Sequence, residues 1–289
     1  MSIPTRIQNS VEAYLSNDDS PDISNPIHST EFAAQFGFPG ALVGGVTVWG
    51  WATDTILEAL GEHWLENGWA EFSFRQPTFP GDLLLIDATL QEDGNNNIWD
   101  ITFTNQQNVT CVTGKVGIGQ ADWYTNLERP SLDNVVEPIK IPLALDNADI
   151  GGDWTPMRVN FDTDLADDIA LVKQHSENSI FYGPDALAHP AWTAGWAEQL
   201  LRHNFLVPSS MHTKSQVQHL RKINVNTSVT GGARLINAYE QKAHHFANFD
   251  VLLQDESMND IAQLRHWTIF KIATPEEREK VGVASPANS

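Results

Sequence analysis

One apolar segment occurs twice in this chain. Pro39-Gly40-Ala41-Leu42-Val43-Gly44-Gly45-Val46-Thr47-Val48-Trp49-Gly50-Trp51-Ala52 aligns without a gap on Pro184-Asp185-Ala186-Leu187-Ala188-His189-Pro190-Ala191-Trp192-Thr193-Ala194-Gly195-Trp196-Ala197. The proline, the Ala-Leu pair and the Gly-Trp-Ala triplet coincide at an offset of 145 residues, half of the 289. Self-similarity at that spacing means two copies of one structural unit, so the fold must be one that a chain can build twice.

The segments downstream of each copy are also alike. Trp69 to Gln76, Leu83 to Gln91, Ile98 to Thr104 and Val109 to Ile118 read as strands, bounded by Pro80-Gly81-Asp82 and Asp93-Gly94-Asn95 turns. His212 to Lys222, Ser228 to Tyr239, His245 to Gln254 and Ile261 to Ile272 form the second set. The segments before them, roughly Val43 to Leu60 and Ala191 to His203, are apolar on most faces, which suits helices enclosed by their own sheets. An α+β fold is expected, in which each copy wraps an antiparallel sheet around a central helix and the two sheets run together into one surface. Asp122 to about Asp153 is rich in Pro, Asn and Asp with little periodicity. It reads as a linker, 122–153, between an N-terminal unit, 1–121, and a C-terminal unit, 154–289.

Charge excludes some functions. Lys and Arg total 17 against 37 Asp and Glu, a formal charge of −20 that repels phosphate backbones and anionic headgroups. Nucleic acid and bare membrane are therefore not expected as partners. Arg202, Arg221, Lys222, Arg234 and Lys242 concentrate positive charge in the second half, and read equally well as solvated side chains or as a cradle for an anionic ligand. The single cysteine, Cys111, lies in an apolar alternating run and reads as a small core residue. With no disulfide framework, no leader and no run of membrane-spanning length, a cytoplasmic location is expected.

Just upstream of the first apolar segment, Asn25-Pro26-Ile27-His28 sets an imidazole in a sharp turn, because the residue before a proline is held extended. Gly37-Phe38 and then Gly44-Gly45 come next. A base beside the first turn of a helix, whose free N–H groups favour negative charge, is what chemistry alpha to a thioester carbonyl requires. This stretch resembles the hydratase signature of the MaoC-like, (R)-specific enoyl-CoA hydratase family, in which D-x-N-P-[IL]-H leads by way of G-F to P-I-A-H-G-M.

The resemblance implies a double hotdog in one chain and a hydro-lyase that adds water to an enoyl thioester, or removes it from a 3-hydroxyacyl thioester. The substrate would be carried on coenzyme A or an acyl-carrier protein. No cofactor is implied, and a homodimer is left open. His28 would be catalytic, with Asn25 as a hydrogen-bonding residue; Gly45 would offer its backbone N–H to the thioester oxygen, and Gly44 stands where the family has histidine. The family's catalytic aspartate falls on Ile23, and the nearest acid is Asp22, one residue earlier. Asp22 could serve only through a shifted loop. In the second copy the aligned pair is His189-Pro190, and proline has no N–H to give, so only the first copy can build that contact. His189 then reads as a helix-entry or tunnel-lining residue.

Two other functions suit the same fold. Ile23 favours a degenerate double hotdog that binds acyl thioesters, or a non-catalytic subunit of a larger assembly. A thioesterase would need an acid on a central helix, where only Glu58 and Glu198 are available and neither has local support. His212, His219, His244, His245 and His266 fall on different expected strands with no carboxylate or cysteine at metal spacing, so no metal site is expected. Trp49, Trp51 and Trp196 read as core or interface filling.

Overall fold

The computed structural model describes residues 4–20, 23–92 and 98–282, so Asp22 and the Asp93-Gly94-Asn95 turn lie outside the described residues. The first half contains β1 (Arg6–Glu12), α1 (Thr30–Gln35), α2 (Gly45–Gly50), α3 (Thr53–Leu60), α4 (Trp64–Asn67), β2 (Gly68–Phe74), β3 (Leu83–Leu90), β4 (Trp99–Thr104) and β5 (Thr110–Ile118). A short β6 (Ile141–Pro142) comes next. The second half contains β7 (Met157–Phe161), α5 (Thr163–Asp167), α6 (Pro190–Asn204), β8 (Phe205–Leu206), β9 (Met211–His219), β10 (Thr227–Gln241), β11 (His244–Gln254), β12 (Asp260–Lys271) and α7 (Pro275–Lys280).

Ten strands make one sheet in the order β1-β3-β4-β5-β2-β9-β12-β11-β10-β7. From the centre outward, the two sides repeat each other: β2, β5, β4, β3, β1 against β9, β12, β11, β10, β7. The seam is the antiparallel pair β2 and β9, where Trp69 opposes Gln218 and Ser73 opposes Lys214. This is the expected α+β double hotdog with a continuous sheet. All eight expected strands form. The two strands of this sheet that periodicity missed, β1 and β7, are the outermost; β1 is largely polar and β7 only five residues long.

The repeat extends to backbone angles. α2 begins at Gly45 and α6 at Pro190, the aligned residues, and their N-caps Gly44 (φ −61°, ψ 133°) and His189 (φ −62°, ψ 135°) have the same conformation. The helices differ beyond that point: α6 runs fifteen residues unbroken, whereas the first copy breaks between α2 and α3. Gln174 lies against Gly50 just before that break, its amide in the space a Cβ there would take. α2 and α6 pack on each other where a Cβ at Gly195 would stand 3.4 Å from Val46 Cγ1. Trp49, Trp196 and Cys111 are buried in the same apolar core, and each large side chain buried there contributes about 1.5–3 kcal/mol.

Candidate active site

A cavity of about 520 Å³ opens where the start of α2 faces the second half. That volume is ordinary for a small-molecule site. The first half lines it with Asn25 and His28, Leu42 to Val48 and the chain after β2, and the second half with Glu198, Arg202, Ser210 to Thr213 and His266.

The Asn25-Pro26 dipeptide starts a single 3₁₀ turn, Pro26–His28, and Ser29 then caps α1 by accepting from Phe32 N–H. Ile27 is buried and its carbonyl accepts from Leu42 N–H at 3.2 Å. The turn is thereby fastened to the strand-like segment that leads into α2. His28 Nδ1 donates to the Leu42 carbonyl at 2.7 Å, which fixes the neutral tautomer and leaves Nε2 with its lone pair. Burial pushes the His28 pKa below its ordinary value; the Leu42 bond and the charge of Glu198 pull it back up, and Arg202 pushes it down. The ring is therefore a neutral base at physiological pH.

Asn25 ties this loop to the second half. Its Oδ1 accepts from Ser210 N–H at 3.2 Å and its Nδ2 donates to the Ser210 carbonyl at 3.1 Å, so the amide can face only one way. The second Nδ2 hydrogen has two acceptors in reach, the His28 Nε2 lone pair at 3.2 Å and Ser210 Oγ at 3.3 Å, so Nε2 can take another proton when that hydrogen turns to Ser210. Ser210 Oγ donates to Glu198 Oε1, and Arg202 donates to both, from Nε to Glu198 and from Nη2 to Ser210 Oγ, each at 2.9 Å.

The two glycines have separate physical reasons. A Cβ on Gly45 would lie 2.5 Å from His212 Cβ, closer than atoms can approach, so β9 packs directly on the helix start. A Cβ on Gly44 would meet only ordinary contacts, among them the edge of the imidazole, with His28 Cε1 at 3.6 Å and Nε2 at 3.7 Å. The first N–H groups of a helix lack intrahelical acceptors, and Gly45 presents such a group at the cavity.

Four of the residues singled out in the sequence, Asn25, His28, Gly44 and Gly45, thus share one cavity. Asp22 lies outside the described residues. Ile23 is half-buried and does not line the cavity. Asp19, another nearby acid, is spent on Thr30, accepting from its N–H and hydroxyl at 2.6 Å each, and those bonds hold its pKa low. The expectation that neither Glu58 nor Glu198 has support is corrected for Glu198, which faces the cavity from α6; Glu58 is exposed on α3. The signal was present in the sequence as Glu198 and Arg202, an i,i+4 charge pair on a helix otherwise apolar for most of its length. The basic cluster does not assemble. Only Arg202 of that set reaches the cavity, joined by the unforeseen Arg75, while Arg234 pairs with Asp153 and Glu128. His212 and His266 stand on neighbouring strands with ring centroids 4.2 Å apart, and burial holds both neutral, His266 at about 4. Among the described residues, no group of three or more His, Cys, Asp or Glu side chains is arranged to hold a metal ion.

In the second copy, the counterpart region is filled. At Leu187, Ala188 and Thr193, the equivalents of Leu42, Val43 and Val48, only about 10 Å³ remains. His189 is the N-cap of α6, its Nδ1 accepting from Ala191 N–H at 3.2 Å, and it does not line the 520 Å³ cavity.

A scan against family models gave no match, and a search of curated proteins gave no significant match. Solved structures do match. A MaoC-like dehydratase is 15% identical over 85% of this chain and 89% of its own, with a TM-score of 0.54. A conserved hypothetical protein from Mycobacterium tuberculosis, described as having a double hotdog fold, is 13% identical over 82% and 84%, also at 0.54. An oleoyl thioesterase from Lactobacillus plantarum is 6% identical over 93% and 97%, at 0.50. At such identities the likeness establishes the fold, and the chain is a double hotdog.

Proposed function

We propose that the protein is a MaoC-like hydratase or dehydratase acting on an acyl thioester of coenzyme A or a carrier protein. The observation that carries this reading is the neutral His28, its Nε2 lone pair at the edge of a 520 Å³ cavity headed by Gly44 and Gly45. In hydration, a water gives a proton to Nε2 as its oxygen bonds to C3 of the enoyl group. The C2=C3 electron pair moves onto the thioester oxygen, where the Gly45 N–H meets the developing charge. The imidazolium then returns the proton to C2, and the enolate pair forms the C2–H bond. Dehydration is the same path reversed.

The test is loss of enoyl absorbance from a short trans-2-enoyl-CoA, with His28→Ala as the control. Hydration by the parent and none by the variant, with the fold retained, supports the reading; equal rates remove His28 from the mechanism. A second reading, thioester hydrolysis, is favoured by one observation, the presence of the Glu198 carboxylate on the central helix at the same cavity. Release of free thiol from a saturated acyl-CoA would select it. Tight binding of acyl-CoA with neither reaction would select the degenerate binder.

A further inference from the structure

The acid absent from position 23 has a counterpart on the other half of the molecule. From His28 Nε2 a chain of polar contacts runs through Asn25 Nδ2 at 3.2 Å and Ser210 Oγ at 3.3 Å to Glu198 Oε1. Asn25 and Ser210 are buried, and all four residues line the same cavity. Arg202 fixes the far end. Its Nη1 donates to the Ser24 carbonyl at 2.9 Å and the Val207 carbonyl at 3.2 Å, so the guanidinium is anchored to backbone while Nε and Nη2 hold Glu198 and Ser210. An ordinary i,i+4 surface pair has no such anchor and does not sit against a buried asparagine from the other half.

We infer that Glu198 is the carboxylate partner of His28, so that the site is shared, with the base supplied by the N-terminal copy and the acid by the central helix of the C-terminal copy. The inference rests on the hydro-lyase reading above. In that reaction the Glu198 carboxylate accepts a hydrogen bond from the second proton of the attacking water while the first passes to Nε2. Its negative charge stabilises the imidazolium that exists between the two proton transfers. No further proton is consumed, since the one taken from water is the one returned to C2.

The experiment compares the parent with Glu198→Gln and Glu198→Asp, measuring kcat for a short enoyl-CoA and the titration of His28 by NMR. Glu198→Gln should lower kcat by about 10²–10⁴-fold, the usual contribution of an acid–base group. It should also lower the His28 pKa, because a charge that raises it is gone. Among the described residues, the other charged or titratable groups at the cavity are Arg75, Arg202, His212 and His266, and the two histidines are already neutral near the ordinary histidine value of 6.5. Glu198→Asp, which keeps the charge, should retain more rate than Glu198→Gln.

A folded Glu198→Gln protein with the parental His28 titration overturns the inference, whether its kcat is parental or reduced. Equal losses in the Asp and Gln variants also overturn it. Failure of the functional reading is a separate result: if the parent hydrates no enoyl thioester, the His28 titration still decides the pairing, a fall in Glu198→Gln supporting it and no change overturning it.

Discussion

Gly44 and Gly45 are adjacent, yet alanine should damage them in opposite ways. A methyl on Gly45 would sit 2.5 Å from His212 Cβ, 2.9 Å from its Nδ1 and 3.0 Å from its Cγ. His212 cannot swing aside, because its ring is packed between Phe74, at a centroid distance of 4.4 Å, and His266 at 4.2 Å. Overpacking of this kind costs about 1–3 kcal/mol. For a chain of this size each kcal/mol moves the melting temperature by roughly 2–4 °C, so Gly45→Ala should melt about 2–12 °C below the parent. At Gly44 the backbone angles (φ −61°, ψ 133°) are open to any residue and the new methyl meets nothing nearer than 3.6 Å. Gly44→Ala should therefore keep its stability. Its methyl would stand 3.7 Å from His28 Nε2, however, in the space a reacting water needs, so turnover should fall. Thermal melts and enoyl-CoA hydration on the two variants separate these effects. A Gly44→Ala protein that melts well below Gly45→Ala would refute the packing argument, and full activity in Gly44→Ala would refute the placement of the water.

Three further outcomes are expected. Because the working form of His28 is the neutral one and its folded pKa is depressed, hydration should persist below pH 6.5 and fade only as pH drops through that lower value; an acid limb above 6.5 in kcat/KM would contradict the burial of the ring. His189 and His219 are held at about 3 and His266 at about 4 by burial, so the stability they confer is full above the unfolded value of 6.5 and drains away as pH falls through their folded values. Denaturation midpoints measured from pH 7 down to 4 should decline, and a flat profile would sink this account. Asp22→Asn should leave hydration unchanged if Glu198 is the partner of His28, whereas a loss of about 10²–10⁴-fold would put Asp22 in the site instead.

The parts of the fold legible in the sequence were those governed by local pattern. The offset of 145 relates the starts of α2 and α6, Gly45 and Pro190, residue for residue, although the expected spans began at Val43 and Ala191 and the first was expected to run unbroken to Leu60. Edge strands β1 and β7 escaped notice because β1 has only two apolar residues, Ile7 and Val11, and the alternation of Met157-Arg158-Val159-Asn160-Phe161 lasts only five residues. Beside the break after α2 lies Gln174, far along the chain, and that contact is not announced by any local residue. The site divides in the same way. Asn25, His28, Gly44 and Gly45 were legible because one short loop brings them together, but Ser210 lies 185 residues from Asn25 and meets it only after the two halves join at the β2–β9 seam. Glu198 could be noticed as a charge on an apolar helix, yet the direction it faces is a property of the assembled sheet.

The two copies repeat each other in topology and at the helix starts, and they differ in what surrounds those starts. Pro190 removes one N–H from the first turn of α6, and the Nδ1 of His189 takes up that of Ala191. With His189 neutral and packed edge-on against Phe181 at 4.7 Å, the entry of the second helix is closed to an anionic oxygen. Trp64 and His219, at 4.6 Å, fill the ground beneath it. Beyond its capped start α6 passes Val46 at Gly195, then turns Glu198 and Arg202 toward the cavity of the other copy. One cavity is thus lined from both copies, by Asn25 and His28 of the N-terminal one and by Glu198, Arg202 and Ser210 of the C-terminal one.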